Sequence, residues 1–300
     1  MNTTTPADPA VRVLNVSKHF VSDKAALRDI QITVQAGEMV ALLGASGSGK
    51  STLIRCLSGL CSIDDGVGQI DIHGQCVQRR GRLAPAARSL RGTTSVVFQQ
   101  FNLVGQLSVL HNVIAGASSR IPTWRMLTRR LPQHEVQRAL EALVSVGLGD
   151  FAWQRASTLS GGQQQRAALA RALVQGASIL LADEPVASLD PESAQRVMRL
   201  LTRLNHELGI TVIVSLHQVE LARQYCRRTI ALSDGRTTYD GPSKGLCAET
   251  LTRIYNGANA NYDRLKPVIG YPAANDSLES DRSTINRVRA ITHPPSSQFS

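Results

Sequence analysis

The sequence predicts an α/β fold with an all-helical insertion, and three observations carry that expectation. Short apolar runs of strand type alternate with segments of helical period through most of the chain. One run passes through a glycine-rich turn, Gly44-Ala45-Ser46-Gly47-Ser48-Gly49-Lys50-Ser51-Thr52, into a helix. Residues 103–175 lose strand character and keep only helical spacing. Strand–helix alternation builds a sheet flanked by helices, and a purely helical stretch within it is an insertion.

The elements follow in order. Val11-Arg12-Val13-Leu14-Asn15-Val16 alternates apolar and polar residues, as a strand with one buried face does. Ile30-Gln31-Ile32-Thr33-Val34 alternates too. Gln35-Ala36-Gly37-Glu38 then turns the chain into the apolar run Met39-Val40-Ala41-Leu42-Leu43. Beyond the glycine turn, Leu53-Ile54-Arg55-Cys56-Leu57 continues as a helix. Strands resume at 68–72 and 94–98. Inside the insertion, 136–144 and 164–173 have helical period. Ile179-Leu180-Leu181-Ala182 reads as a fully buried parallel strand. Pro191, just after Asp190, suits the first turn of a helix running to Leu208. A further strand covers 211–215. From about Asn259 onward Pro, Ser, Asn and Asp accumulate, so 259–300 is expected to be a disordered tail.

Composition narrows the class. The chain has 300 residues, enough for one large α/β domain, and 42% hydrophobic content supplies a core. No apolar run approaches the ~20 residues of a membrane span, and the first residues lack a signal-peptide core. Five cysteines, with no C-x-x-C pair, fit buried small residues or free thiols better than a disulfide frame or zinc site. The net charge of +10 is spread out, with small groups at Arg79-Arg80-Gly81-Arg82 and Arg129-Arg130, and aromatics are only 4%. That is a solvated surface without base-stacking interleaving, so no nucleic-acid partner is expected.

The glycine turn fits G-x-x-x-x-G-K-[ST], a phosphate-binding loop, in the strand-to-helix setting that the motif needs. Glycines let the backbone close around a phosphate chain, and the helix N-terminus favours the anion. Lys50 suits the β- and γ-phosphates of ATP, and the Ser51 hydroxyl suits Mg²⁺. Asp183 and Glu184 end the apolar strand, where ligands of open α/β sheets bind. One carboxylate, Asp183, is expected to hold the metal and the next, Glu184, to act as general base. Leu159-Ser160-Gly161-Gly162-Gln163 precedes a strong helix, and Ser160 and Gln163 have capping-box spacing. The two glycines leave backbone donors open there, so the residues fit either an ordinary capped helix or a second anion site far from the first.

In chain order the motifs are the phosphate loop, Gln99 after a strand, 159–163, Asp183-Glu184, Ser188-Leu189-Asp190 and His217 after a strand. This order resembles the ATP-binding subunits of ABC transporters, over roughly residues 11 to 257. The resemblance implies a cassette over 1–258, with a mainly parallel sheet, an antiparallel β subdomain and an inserted helical subdomain. It also implies two copies packed head to tail. Ser160, Gly161, Gly162 and Gln163 of one then close on the γ-phosphate held by residues 44–52 of the other. Gln99 reaches Mg²⁺ and the membrane partner, His217 polarises the γ-phosphate, and Phe20 stacks on adenine. Residues 188–190 make contacts across the dimer.

The segments Phe98-Gln99-Gln100-Phe101-Asn102-Leu103-Val104-Gly105, 107–113, 185–194 and Ser215-Leu216-His217-Gln218-Val219 are similar to those of phosphonate (or closely related phosphite) importers. Gln218 stands where most import ATPases carry an acidic residue, and 221–226 and 239–242 fit as well. The resemblance implies a peripheral subunit on the cytoplasmic side of the inner membrane. Its partners are transmembrane permease subunits and, indirectly, a periplasmic phosphonate-binding protein. Competing readings are an importer of another solute, a soluble ATPase acting on DNA or ribosomes, and a P-loop kinase. The last two lack a reason for residues 159–163, or need inserts that this chain does not have.

Overall fold

The computed structural model describes residues 8–20, 25–85, 87, 92–128 and 130–255. The expected tail at 259–300 lies outside them. The described residues form two compact units, the second taken from 101–176 and the first from the chain on either side of it.

The first unit holds two sheets. One is antiparallel, in the order β2-β1-β4-β5-β6, with β1 (Val11–His19), β2 (Ala25–Val34), β4 (Gln69–Ile72), β5 (Gln75–Arg79) and β6 (Arg82–Leu83). Val13 faces Ile32 on one side and Ile70 on the other. The other sheet runs β11-β10-β3-β9-β8-β7, with β3 (Met39–Leu43), β7 (Thr94–Val97), β8 (Ile179–Ala182), β9 (Thr211–Ser215), β10 (Arg228–Ser233) and β11 (Arg236–Pro242). Every neighbouring pair in it is parallel except β10 with β11. Strands β3, β8 and β9 are buried along their whole length. That is why β3 and β8 read as unbroken apolar runs and β9 has an apolar centre, whereas β1 and β2, with one wet face, alternate.

Helix α1 (Lys50–Leu57) packs its apolar side, Leu53, Ile54 and Leu57, into the core that both sheets share, among Val11, Ile32, Val40, Leu42, Ile213 and Ile230. The expectation of strands at β1, β2 and β4 holds, but β1 runs on to His19 and β2 begins at Ala25. Sequence patterning passed over β5, β6, β10 and β11. Their hairpins turn at His73-Gly74, Arg80-Gly81 and Asp234-Gly235, each pair with positive φ. Two adjacent left-handed residues are the signature of the type I′ turn that matches strand twist.

The second unit is helical: α2 (Val109–Ile114), α3 (Thr123–Leu127), α4 (Gln133–Ser145) and α5 (Gly161–Gln175). Helices α2 and α4 both pack on α5. Gly116, just beyond α2, touches the α5 backbone so closely that an added Cβ would lie 2.2 Å from the Arg171 carbonyl oxygen. Arg120 ties this unit together. Its guanidinium grips Glu135 of α4 with two hydrogen bonds, 2.8 and 3.0 Å, and donates to the Val174 and Gln175 carbonyls at the end of α5. Back in the first unit, α6 (Pro191–Leu208) has the bounds its sequence predicts, with Asp190 accepting from the Ser193 N–H at 2.9 Å as its cap. Two short helices close the described chain, α7 (Val219–Tyr225) and α8 (Ala248–Tyr255). None of the described helices is long and apolar enough to cross a membrane.

Candidate functional site

The glycine-rich loop leaves the end of β3 and enters α1 at Lys50. Gly44 has φ +149 and Gly49 has φ +107, and a Cβ at either would lie within 2.5 Å of a backbone carbonyl, Leu232 and Ala26 respectively. Only glycine fits both the dihedrals and the space. Lys50 is buried and donates to the carbonyl oxygens of Gly44 at 2.8 Å and Ala45 at 3.1 Å. Its ammonium therefore sits inside the curl of the loop. Burial lowers the Lys50 pKa from its usual value, and the charges of Glu184 and then Asp183 offset part of that. The Ser48 hydroxyl is buried there without a partner among the described residues, an orphan that a phosphate oxygen would satisfy.

The sheet order sets β9 beside β3 and β8 beside β9, all parallel, so their ends open on the same side of the sheet. Asp183 follows β8 and is 6% exposed. Its Oδ1 accepts from the Ser51 hydroxyl at 3.0 Å and the Ser215 hydroxyl at 2.9 Å. Glu184 takes the left-handed conformation, φ +51, which few non-glycine residues adopt. Glu184 Oε1 lies 2.6 Å from His217 Nε2. Gln99 is exposed beyond β7, whose Val97 pairs with Ala182 of β8. Lys50, Ser51, Asp183, Glu184 and His217 thus come together in the first unit, and Gln99 leaves the strand next to Asp183.

Phe20, just past β1, is 50% exposed, with the Lys18 ammonium 5.6 Å from its ring centre. It is an open aromatic face, not a core side chain. Ser160, Gly161, Gly162 and Gln163 begin α5 in the second unit. Ser160 Oγ accepts from the Gln163 N–H at 3.3 Å and Gln163 Oε1 accepts from the Ser160 N–H at 2.8 Å, so the capping box forms.

The ABC transporter family matches residues 27–187 of this chain. The phosphonates import ATP-binding protein PhnC of Cupriavidus pinatubonensis is 54% identical over 246 residues, covering 82% of this chain and 88% of the relative. That of Paraburkholderia xenovorans is 49% identical over 291 residues, covering 97% of this chain and 95% of its own. The chain belongs to the ABC transporter family. The cassette also resembles the solved ATP-binding cassette MJ0796 in a dimeric, post-hydrolysis state bound to ADP and Pi. There the TM-score is 0.67 at 33% identity, over 78% of this chain and 99% of that one. The fold is thus that of an ABC ATPase.

A divalent cation fits the donors present. Ser51 and Asp183 offer hard oxygens, and Mg²⁺ usually takes one or two protein oxygens plus phosphates. Among the described residues no group of three or more His, Cys, Asp or Glu side chains forms a separate metal cage. Two features escaped the sequence reading. Ser215 joins Asp183 to the Glu184 backbone, and its only signal was a hydroxyl ending a strand that precedes His217. The Arg120–Glu135 tie left no local pattern at all.

Proposed function

We propose that this cassette is the ATP-hydrolysing subunit of a phosphonate importer, working as a head-to-tail homodimer on the cytoplasmic face of the inner membrane. The gathering of Lys50, Ser51, Asp183, Glu184 and His217 at one end of the parallel sheet carries the ATPase part. The names of the relatives carry the solute. Gly44, Ala45, Ser46, Gly47, Ser48, Gly49 and Thr52 line the phosphate chain with Lys50, and Phe20 supports the adenine. Ser51, Asp183 and Gln99 would hold Mg²⁺, which when bound neutralises charge on the β- and γ-phosphates.

Glu184 acts as the general base. One of its carboxylate oxygens is engaged by His217, which leaves the other for the attacking water. His217, held at Glu184 in this way, would polarise the γ-phosphate of bound ATP. The Ser160–Gln163 helix start of the second copy completes the anion site, so ATP favours the closed pair and ADP does not. Closure needs only that difference in affinity between the two states. The Gln99 region passes the movement to transmembrane permease subunits, and a periplasmic phosphonate-binding protein supplies the solute. Nucleic acid has no part in the cycle.

Replacing Glu184 by Gln tests the ATPase reading. Hydrolysis should fall by ~10²–10⁴-fold, the size of a lost acid–base group, while ATP binding persists. A stable dimer should then appear on gel filtration with ATP and Mg²⁺. A variant that binds ATP yet stays monomeric overturns the sandwich. Growth tests the solute. A strain without this gene, and without a second phosphonate importer, should fail on a phosphonate as sole phosphorus source and grow on phosphate. Unimpaired growth on the phosphonate rules that solute out, and a parallel culture on phosphite separates the closest alternative.

A further inference from the structure

We infer that Ser215 is a positioning residue for hydrolysis, its buried hydroxyl fixing both the backbone of Glu184 and one carboxylate oxygen of Asp183. This rests on the roles proposed above for those two residues.

The ladder between β8 and β9 is regular up to Ala182 opposite Val214. Beyond it the chain after β8 bends away. The Asp183 N–H still finds a backbone acceptor, the Val97 carbonyl of β7, at 2.8 Å. The Glu184 N–H, at the residue that takes φ +51, is taken by a side chain instead, Ser215 Oγ, at 2.7 Å. The same Oγ lies 2.9 Å from Asp183 Oδ1.

The polarity of these bonds is forced. An amide N–H only donates and an ionised carboxylate only accepts, so the hydroxyl accepts from Glu184 and donates to Asp183. Ser215 is 0% exposed, so no bulk solvent competes for either partner. Asp183 Oδ1 also accepts from Ser51, the first residue after Lys50. A continuous chain of hydrogen bonds therefore runs from α1 through Asp183 and Ser215 to the backbone of the general base. A buried serine at a strand end often serves its own strand. Here the bonds of the hydroxyl, among the described residues, go to Asp183 and Glu184. The other four residues of β9, Thr211 to Val214, are buried, and three of them are apolar.

The test uses the full chain with Ser215→Ala, Ser215→Cys and Ser215→Thr. Cysteine keeps the size but accepts hydrogen bonds poorly, and threonine keeps the hydroxyl. The alanine and cysteine variants should lose roughly 10–100-fold in kcat, as expected for a mispositioned base. Their KM for ATP should stay within about twofold, because Asp183 keeps its bond to Ser51 and Lys50 keeps its place in the loop. Threonine should retain most of the rate. Amide hydrogen exchange supplies a readout apart from turnover. The Glu184 amide should exchange faster in the alanine and cysteine variants, while the amides of β8 and β9 keep their protection. Wild-type kcat in Ser215→Cys overturns the inference, as does a Ser215→Thr enzyme as slow as alanine. So does a loss of protection spread evenly over the sheet. Glu184→Gln is measured alongside. Near-normal hydrolysis in that variant removes the general-base reading itself, whereas a slow Glu184→Gln beside a fast Ser215→Ala removes only the role of Ser215.

Discussion

Replacing Arg120 by Met should unfasten the helical unit, and its size can be worked from the contacts. Glu135 is 2% exposed, and Arg120 supplies its two short hydrogen bonds. Removing one partner of a buried pair costs about 3–5 kcal/mol, because the other charge is stranded. The lower end applies, about 3 kcal/mol, since Arg138 stays 3.9 Å from the same carboxylate. The loss should depend on pH in a definite direction. Burial pushes the Glu135 carboxyl up, but Arg120, with help from Arg138 and His134, brings it below its usual value. In the wild type this group therefore stabilises the fold above its unfolded pKa, and that contribution fades as pH falls through the folded value. Without Arg120 burial prevails and the folded pKa rises above the unfolded one. The variant then regains stability on acidification, and the gap between the two proteins narrows from pH 8 towards pH 4. Urea unfolding at several pH values measures it, and Glu135→Leu added to Arg120→Met should recover most of the loss. A deficit below about 1 kcal/mol at pH 8, against the roughly 3 expected, or one that grows on acidification, refutes the reasoning.

Three further outcomes follow from the site. Lys50→Ala removes the ammonium held by Gly44 and Ala45 and should abolish turnover and weaken ATP binding, measured by a fluorescent nucleotide; near-normal turnover sinks the phosphate-loop role. Gly49→Ala sets a Cβ 2.5 Å from the Ala26 carbonyl at φ +107, so nucleotide affinity and melting temperature should both drop, and a variant that keeps both contradicts the packing. Ser160→Arg should block hydrolysis but not binding. Mixed with Lys50→Ala, it should form a dimer with one doubly damaged and one intact site, so recovered activity in the mixture is the expected result and none is the refuting one.

What the sequence disclosed followed from range. The phosphate loop, the capping box at Ser160 and Gln163, and the cap at Asp190 are complete within a few residues, so their chemistry is visible in a short window. The buried strands β3 and β8 announced themselves by unbroken hydrophobicity, and β9 by its apolar centre, Val212 to Val214. Of the hairpin strands, β11 did not, because it alternates only between half-exposed and exposed residues. Of their turns, only Asp234-Gly235 uses a dipeptide known to favour the geometry. Ser215 and Arg120 were hidden for a different reason. The partners of Ser215 lie 31 and 32 residues away and become neighbours only through the order of strands. Arg120 meets the α5 carbonyls 54 and 55 residues on, through the packing of helices.

That strand order has a consequence for how the protein is made. β3 emerges early from the ribosome carrying the phosphate loop, yet the strands on its two sides are β9 and β10, from Thr211 to Ser233. Until those have been synthesised, Met39–Leu43 has neither neighbour, and the apolar strand must wait as an exposed ribbon. Pairings this distant in sequence are slow and leave nascent chains prone to association. A ribosome stalled short of residue 233 would display a chain that contains the whole phosphate-binding motif and cannot hold it in shape. Acquisition of nucleotide affinity during synthesis should therefore be a late and abrupt event.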